Sequence, residues 1–166
     1  KYKGLENKNI LVVEDVELNQ YLAKHIMESW GCVVEIVENG ALAVEKINEK
    51  DFDIVLMDIE MPGMSGIEAV SLIKKEFPHI QILMQTVFED DDRVFDSICA
   101  GASGYILKNF LNTKLVEFIN ELQFGGSPMN PSIARKVLNK MHSVSAVIKP
   151  QAAPDYHLTI REKEVV

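Results

Sequence analysis

Apolar positions follow two patterns along the chain. Five short runs are almost unbroken: Ile10–Val13, Val33–Val37, Ile54–Met57, Ile80–Met84 and Tyr105–Leu107. Each is rich in Val, Ile or Leu and short enough for a buried strand. Their starts lie 23, 21, 26 and 25 residues apart. Between them the apolar repeat lengthens to three or four. Leu18, Leu22, Ile26 and Trp30 mark one helical stripe, and Ala41, Val44 and Ile47 a second. Ile67, Val70 and Ile73 mark a third, Val94 and Ile98 a fourth, and Leu115, Phe118, Ile119 and Leu122 a fifth. Spacings of three and four put such residues on one helix face. Strand and helix alternating at this rhythm predict an α/β fold of parallel strands joined by crossover helices.

The pattern then changes. Gly125, Gly126 and Pro128 end the fifth helix. Asn130 suits an N-cap and Pro131 a first helical position. Ile133, Val137, Leu138 and Met141 give a short sixth helix its stripe. Residues 143–157 contain two prolines and no period, which predicts a linker. Leu158–Val166 restarts a helix, with Thr159 and Glu162 at capping-box spacing. The expected organisation is a main domain over 8–124, an added helix over 125–142, a linker over 143–157, and a fragment of a second domain over 158–166.

Composition narrows this little, and charge more. The 166 residues are 47% hydrophobic and 25% charged, ordinary for a globular chain. No apolar stretch approaches the ~18 residues of a membrane span, and no signal peptide opens the chain. Two cysteines, Cys32 and Cys99, cannot build a disulfide scaffold. The expectation is a reduced, cytoplasmic protein without membrane contact. The net charge of −8 is split: residues 1–124 carry −11 and residues 125–166 carry +3. The acidic body argues against nucleic-acid binding by the main domain and leaves cations or a basic partner.

Open parallel sheets bind ligands beyond the carboxyl ends of their strands. Glu14–Asp15 follow the first run, Asp58 the third, Gln85–Thr86 the fourth and Lys108 the fifth. Three carboxylates at one edge should raise a pKa or hold a divalent cation, and an all-oxygen set with open positions suits Mg²⁺. Lys108 would pair with a phosphoryl group as a point charge, and the Thr86 hydroxyl could bond the same group. Phosphoryl transfer needs mainly positioning and charge neutralisation, and a carboxylate can itself be the nucleophile.

VVED at 12–15, LMDIEMPGMSG at 56–66, Thr86 and YILK at 105–108 resemble the receiver domain of two-component response regulators. The resemblance covers residues 8–124 and implies a flavodoxin-like (βα)5 fold with strand order 2-1-3-4-5, a topology for which the general rule is often illustrated with this family. It implies that Asp58 accepts phosphate from a sensor histidine kinase. Glu14, Asp15, Asp58 and the backbone carbonyl of Glu60 would hold Mg²⁺. Lys108 would pair with the phosphoryl group, and Thr86 and Tyr105 would form the switch, Tyr105 turning inward. Such a receiver is no enzyme beyond its own phosphoryl transfer and dephosphorylation, and it can form a homodimer on phosphorylation.

Later segments resemble one subfamily. TVFEDDDRVFDSICAGASGYILK, GGSPMNPSIARKVL and LTIREKEVV are similar to regulators with a LuxR/NarL-type helix-turn-helix output. LTIREKEVV looks like the opening of that domain's first helix, cut after about two turns. The resemblance implies DNA binding for the parent protein and none for this fragment. Residues 12–47 resemble instead the receivers attached to hybrid sensor kinases. A stand-alone receiver or phosphorelay module is therefore the second reading, although it has no use for residues 125–166. A phosphatase of related topology is the third, but it would place an Asp two residues after its nucleophile, where this chain has Glu60.

Overall fold

The computed structural model describes residues 4–87 and 89–147. Five parallel strands form one sheet: β1 (Asn9–Val13), β2 (Val33–Val37), β3 (Ile54–Asp58), β4 (Gln81–Thr86) and β5 (Gly104–Leu107). Their order is β2-β1-β3-β4-β5, as the resemblance implies. Five helices alternate with them: α1 (Glu17–Ser29), α2 (Gly40–Glu49), α3 (Gly66–Glu76), α4 (Asp91–Cys99) and α5 (Leu111–Gln123). A 3-10 turn (Lys108–Phe110) leads into α5, and a sixth helix, α6 (Pro131–Val147), comes after it.

The continuous apolar runs have a simple cause. Helices cover both faces of the sheet, so central strands bury every side chain. Ile10, Val12, Ile54, Leu56, Leu83 and Ile106 pack with Met27, Leu115 and Ile119. Leu11, Val13, Val55, Met57, Ile82 and Met84 pack on the other side with Ala43, Val70, Val94 and Ile133. The helical faces of α3, α4 and α5 are as expected, and those of α1 and α2 shift: in α2 Ala43 is buried beside Ile47 while Ala41 is exposed. In α1 the buried residues are Ala23 and Met27, while Leu18 is 74% exposed. The first turn of α1 aims Asn19 and Gln20 inward at Glu14, which rotates Leu18 out.

Two local motifs fix how the chain enters α3 and leaves α5. The Ser65 hydroxyl accepts from Glu68 N–H while the Glu68 carboxylate accepts from Ser65 N–H, a closed capping box that starts α3. At the end of α5, Gly125 takes a φ of +80°. Its N–H donates to Leu122 C=O and that of Gly126 to Glu121 C=O, the bond pair of a Schellman turn. The chain thereby reverses and runs along the outer edge of β5. Tyr105 bridges Met129 in parallel there, and Tyr105 N–H donates to Pro128 C=O at 2.9 Å.

Two expectations about the C-terminal region change. The sixth helix does not stop at residue 142 but runs through Val147, into the expected linker. No Gly or Pro occurs between Pro131 and Pro150, and Val144 extends the stripe of Val137 and Met141 by one turn. Asn130 does precede α6, but its side-chain oxygen accepts from Leu107 N–H of β5 at 3.4 Å. The rest of the linker and the Leu158–Val166 segment lie outside the described residues.

Candidate functional site

The parallel ladder brings the expected residues to one sheet edge. Asp58 is the last residue of β3, paired with Gln85 of β4. Glu14 and Asp15 come directly after β1, and Lys108 directly after β5. One carboxylate oxygen from each of Glu14, Asp15 and Asp58 lies within 4.8 Å of the others. Glu14 and Asp58 are buried and Asp15 is exposed, so the trio opens to solvent on the Asp15 side.

Lys108 Nζ lies 2.6 Å from Asp58 Oδ2 and 2.7 Å from Glu14 Oε2. Its side chain is 11% exposed. Burial opposes its charge, but hydrogen bonds to Asp58 and Glu14 outweigh that and hold the ammonium above its ordinary value. Asp58 is 4% exposed. Burial is the main cause that pushes its carboxyl up to about 6, Lys108 pulls the other way, and the Glu14 charge adds to the rise. One ammonium thus serves two buried carboxylates, leaving the trio net negative.

Glu14 is a fixed member of the site. One of its oxygens accepts from Asn19 Nδ2 at 3.0 Å and Val16 N–H at 3.3 Å. The other accepts from Gln85 Nε2 at 3.0 Å and faces Lys108. Gln20 Nε2 donates to the Glu14 carbonyl at 2.7 Å. The sequence pattern does not mark Asn19, Gln20 or Gln85 as supports of Glu14. Gln85 carries the clearest signal of the three, since an amide ending a run of buried residues needs a polar partner.

Thr86 ends β4 and is buried. Tyr105 lies inward and fully buried in β5, packed in the same cluster as Ile133, Met129 and Val137. Its hydroxyl has no hydrogen-bond partner among the described residues, and burial pushes the phenol well above its ordinary range. Glu60 follows Asp58 by two residues. Its side chain is an ion-pair partner of Arg93 in α4 and stands outside the acidic trio. The acidic run Glu89–Asp92 lies at the start of α4. Asp90 caps α4, accepting from Asp92 N–H and Arg93 N–H at 3.0 Å each. Asp91 and Asp92 pair with Lys136 and Lys140 of α6.

The donor set fits Mg²⁺. Three hard carboxylate oxygens lie close together with one side open, and a hexacoordinate ion can fill the remaining positions with water and a phosphoryl oxygen. Together with Lys108, that arrangement could receive a dianionic phosphoryl group beside Asp58.

Comparison with known proteins agrees with the geometry. The family model described as response regulator receiver domain matches residues 10–120. Transcriptional regulatory protein LnrK of Bacillus subtilis is 34% identical over 140 residues, 81% of this chain and 63% of LnrK. Response regulator protein VraR of Staphylococcus aureus is 34% identical over 136 residues, 80% of this chain and 62% of VraR. The chain thus spans somewhat less than two thirds of these relatives. Among solved structures, a LuxR-family two-component response regulator from Aurantimonas superposes with a TM-score of 0.76 at 27% identity, covering 82% of this chain and 99% of that one. With an acidic trio and a bridging lysine at one edge of a 2-1-3-4-5 sheet, and a family match spanning that sheet, this chain belongs to the response regulator receiver domains.

Proposed function

We propose that Asp58 is the phosphoryl acceptor of this receiver, that a sensor histidine kinase supplies the phosphoryl group, and that the longer protein uses the resulting change to regulate transcription through a LuxR-type DNA-binding domain. The observation that carries the reading is Lys108, held between Asp58 and Glu14 within 2.7 Å of both. A buried lysine shared by two carboxylates is poised to follow new negative charge on either.

In the proposed step an Asp58 carboxylate oxygen attacks phosphorus of a phosphohistidine. The P–N bond breaks, the leaving imidazole nitrogen takes a proton from solvent, and an aspartyl phosphate forms. Asp15, Asp58 and Glu14, with the Glu60 carbonyl, are the residues that would hold Mg²⁺, which supplies charge neutralisation for the incoming phosphoryl oxygens. Of the carboxylates, Glu14 is the most encumbered, because both its oxygens already accept protein hydrogen bonds. Lys108 moves from Asp58 Oδ2 to a phosphoryl oxygen, and Gln85 keeps Glu14 partnered as it leaves. Thr86, at the end of β4, closes on the phosphoryl group, and Tyr105 in β5 responds. The chain is a stoichiometric acceptor rather than a turnover enzyme. Its site of action is proposed to be the cytoplasm, and among the described residues no helix is long and apolar enough to cross a membrane.

The kinase is proposed to dock on α1. Leu18 and Tyr21 are exposed there beside the site, and the Tyr21 ring stacks on His25 at 5.9 Å. The relatives' names, a transcriptional regulatory protein and a response regulator protein, support a transcriptional role for the parent. Incubation with Mg²⁺ and a small acyl phosphate should add one phosphate per chain by intact mass. Asp58→Asn should abolish the addition, and equal labelling of that variant contradicts the assignment.

A further inference from the structure

Residues 128–130 cover the receiver's β5 edge and α6 covers the start of its α4, so the contacts fall on elements adjoining the site. On the β5 side, Pro128 C=O accepts from Tyr105 N–H, and Asn130 Oδ1 accepts from Leu107 N–H, one residue before Lys108. Gly104 permits this approach, since a Cβ there would stand 2.9 Å from Pro128 O. Ile133 is fully buried, and Met129 and Val137 pack in the cluster that holds the Tyr105 ring. On the α4 side, Lys136 Nζ donates to Glu89 C=O at 2.8 Å and to the Asp91 carboxylate. One turn on, Lys140 Nζ donates to Asp92 at 2.5 Å. Residues 87–90 are the whole connection from Thr86 to α4.

These contacts differ in kind. The apolar contacts of Met129, Ile133 and Val137 supply most of the attachment. The lysine pairs are exposed, and such pairs contribute little stability on their own. Their geometry is nevertheless specific. They fix the later turns of α6 to the first turn of α4, the part of α4 that any displacement of Thr86 reaches first. Two packed elements with alternative registers can convert a small shift at one site into a discrete change at another.

We propose that α6 is the readout element of this receiver: Lys136 and Lys140 clasp it to the first turn of α4, and phosphorylation of Asp58 releases that clasp. The inference rests on Asp58 being the acceptor. Thr86 closing on the phosphoryl group draws Glu89 and Asp90 toward the site. Glu89 C=O and the Asp91 and Asp92 carboxylates then leave the reach of the two lysines. The N-terminal half of α6 stays seated through Ile133 and Val137, while its later turns come free.

Hydrogen exchange of the 166-residue chain, with intact mass measured in parallel, tests this. In the unphosphorylated protein, Lys136→Ala with Lys140→Ala should speed exchange in 136–147 several-fold, with little change in the sheet. Phosphorylation of the unsubstituted chain should produce a similar acceleration. In the doubly substituted chain phosphorylation should label equally but add no further acceleration there. Lys136→Arg with Lys140→Arg should retain the phosphorylation-dependent change. A full phosphate adduct with unchanged exchange in 136–147 overturns the clasp and leaves the acceptor assignment standing. So does a phosphorylation response that persists in the alanine variant. Absence of any adduct on Asp58 overturns both readings.

Discussion

Asp58 is a carboxylate that folding makes reluctant to ionise. Its pKa is pushed up to about 6 because burial outweighs the help of Lys108. A folded-state pKa above the ordinary 3.8 means the native chain binds that proton more tightly than the unfolded chain. The stability this residue contributes is therefore present below about pH 4 and is lost as pH rises through about 6. At pH 7.5 without divalent cation the penalty is on the order of 3 kcal/mol. Asp58→Asn should accordingly be the more stable chain in EDTA at pH 7.5, and the advantage should shrink toward pH 4.5, as read by urea unfolding at both values. An advantage independent of pH would contradict the burial argument. Mg²⁺ should stabilise the unsubstituted chain at pH 7.5 and do much less for the Asn variant, because only the native acidic trio binds it.

At the residue scale the charged members of the site were legible because a strand that ends in a carboxylate or a lysine breaks an apolar run. Their polar supports were not. Asn19 and Gln20 sit in a helix whose apolar stripe alone suggested that Leu18 faces the core. The competing demand, five donors around a buried Glu14 carboxyl and its carbonyl, is a tertiary one. Glu60 shows the same limit from the other side. Nothing local distinguishes a carboxylate that joins the trio from one that pairs with Arg93, thirty-three residues away.

At the scale of elements, the turn from β3 into α3 is the most constrained. Gly66 N–H donates to Ile59 C=O at 3.0 Å, folding residues 59–65 tightly beside Asp58. A Cβ on Gly66 would stand 1.9 Å from the backbone oxygen of Asp58. Helix propensity alone would favour Ala at this position by about 1 kcal/mol. The clash is with backbone, so no side-chain rotation relieves it. Gly66→Ala should therefore destabilise the chain by roughly 1–3 kcal/mol and slow acyl-phosphate labelling by moving Asp58. Unfolding midpoints and labelling rates read the two effects separately, and unchanged values of both would contradict the packing. The sixth helix illustrates what element-level patterns miss. Of its expected stripe only Ile133 and Val137 pack against the core while Leu138 and Met141 are exposed, and Lys136 and Lys140 look like ordinary solvated lysines until α4 is placed opposite them.

At the scale of the whole molecule, the sheet was legible because both its faces are covered, which makes its strands continuous apolar runs. The 2-1-3-4-5 order was not a consequence of those runs. It came with the motif resemblance, since periodicity cannot say which parallel strands are neighbours. The charge split also acquires a structural basis. Part of the −11 on residues 1–124 is the acidic trio, and part is the Glu89–Asp92 run, which faces two lysines of the basic C-terminal region. The two regions are thus complementary surfaces of one body among the described residues. After Mg²⁺-dependent labelling with an acyl phosphate, borohydride reduction converts an aspartyl phosphate to homoserine, which peptide mass mapping locates. Homoserine is expected at position 58 and at no other carboxylate; conversion elsewhere, or a stable phosphate that borohydride leaves untouched, would contradict the assignment of Asp58 as the acceptor.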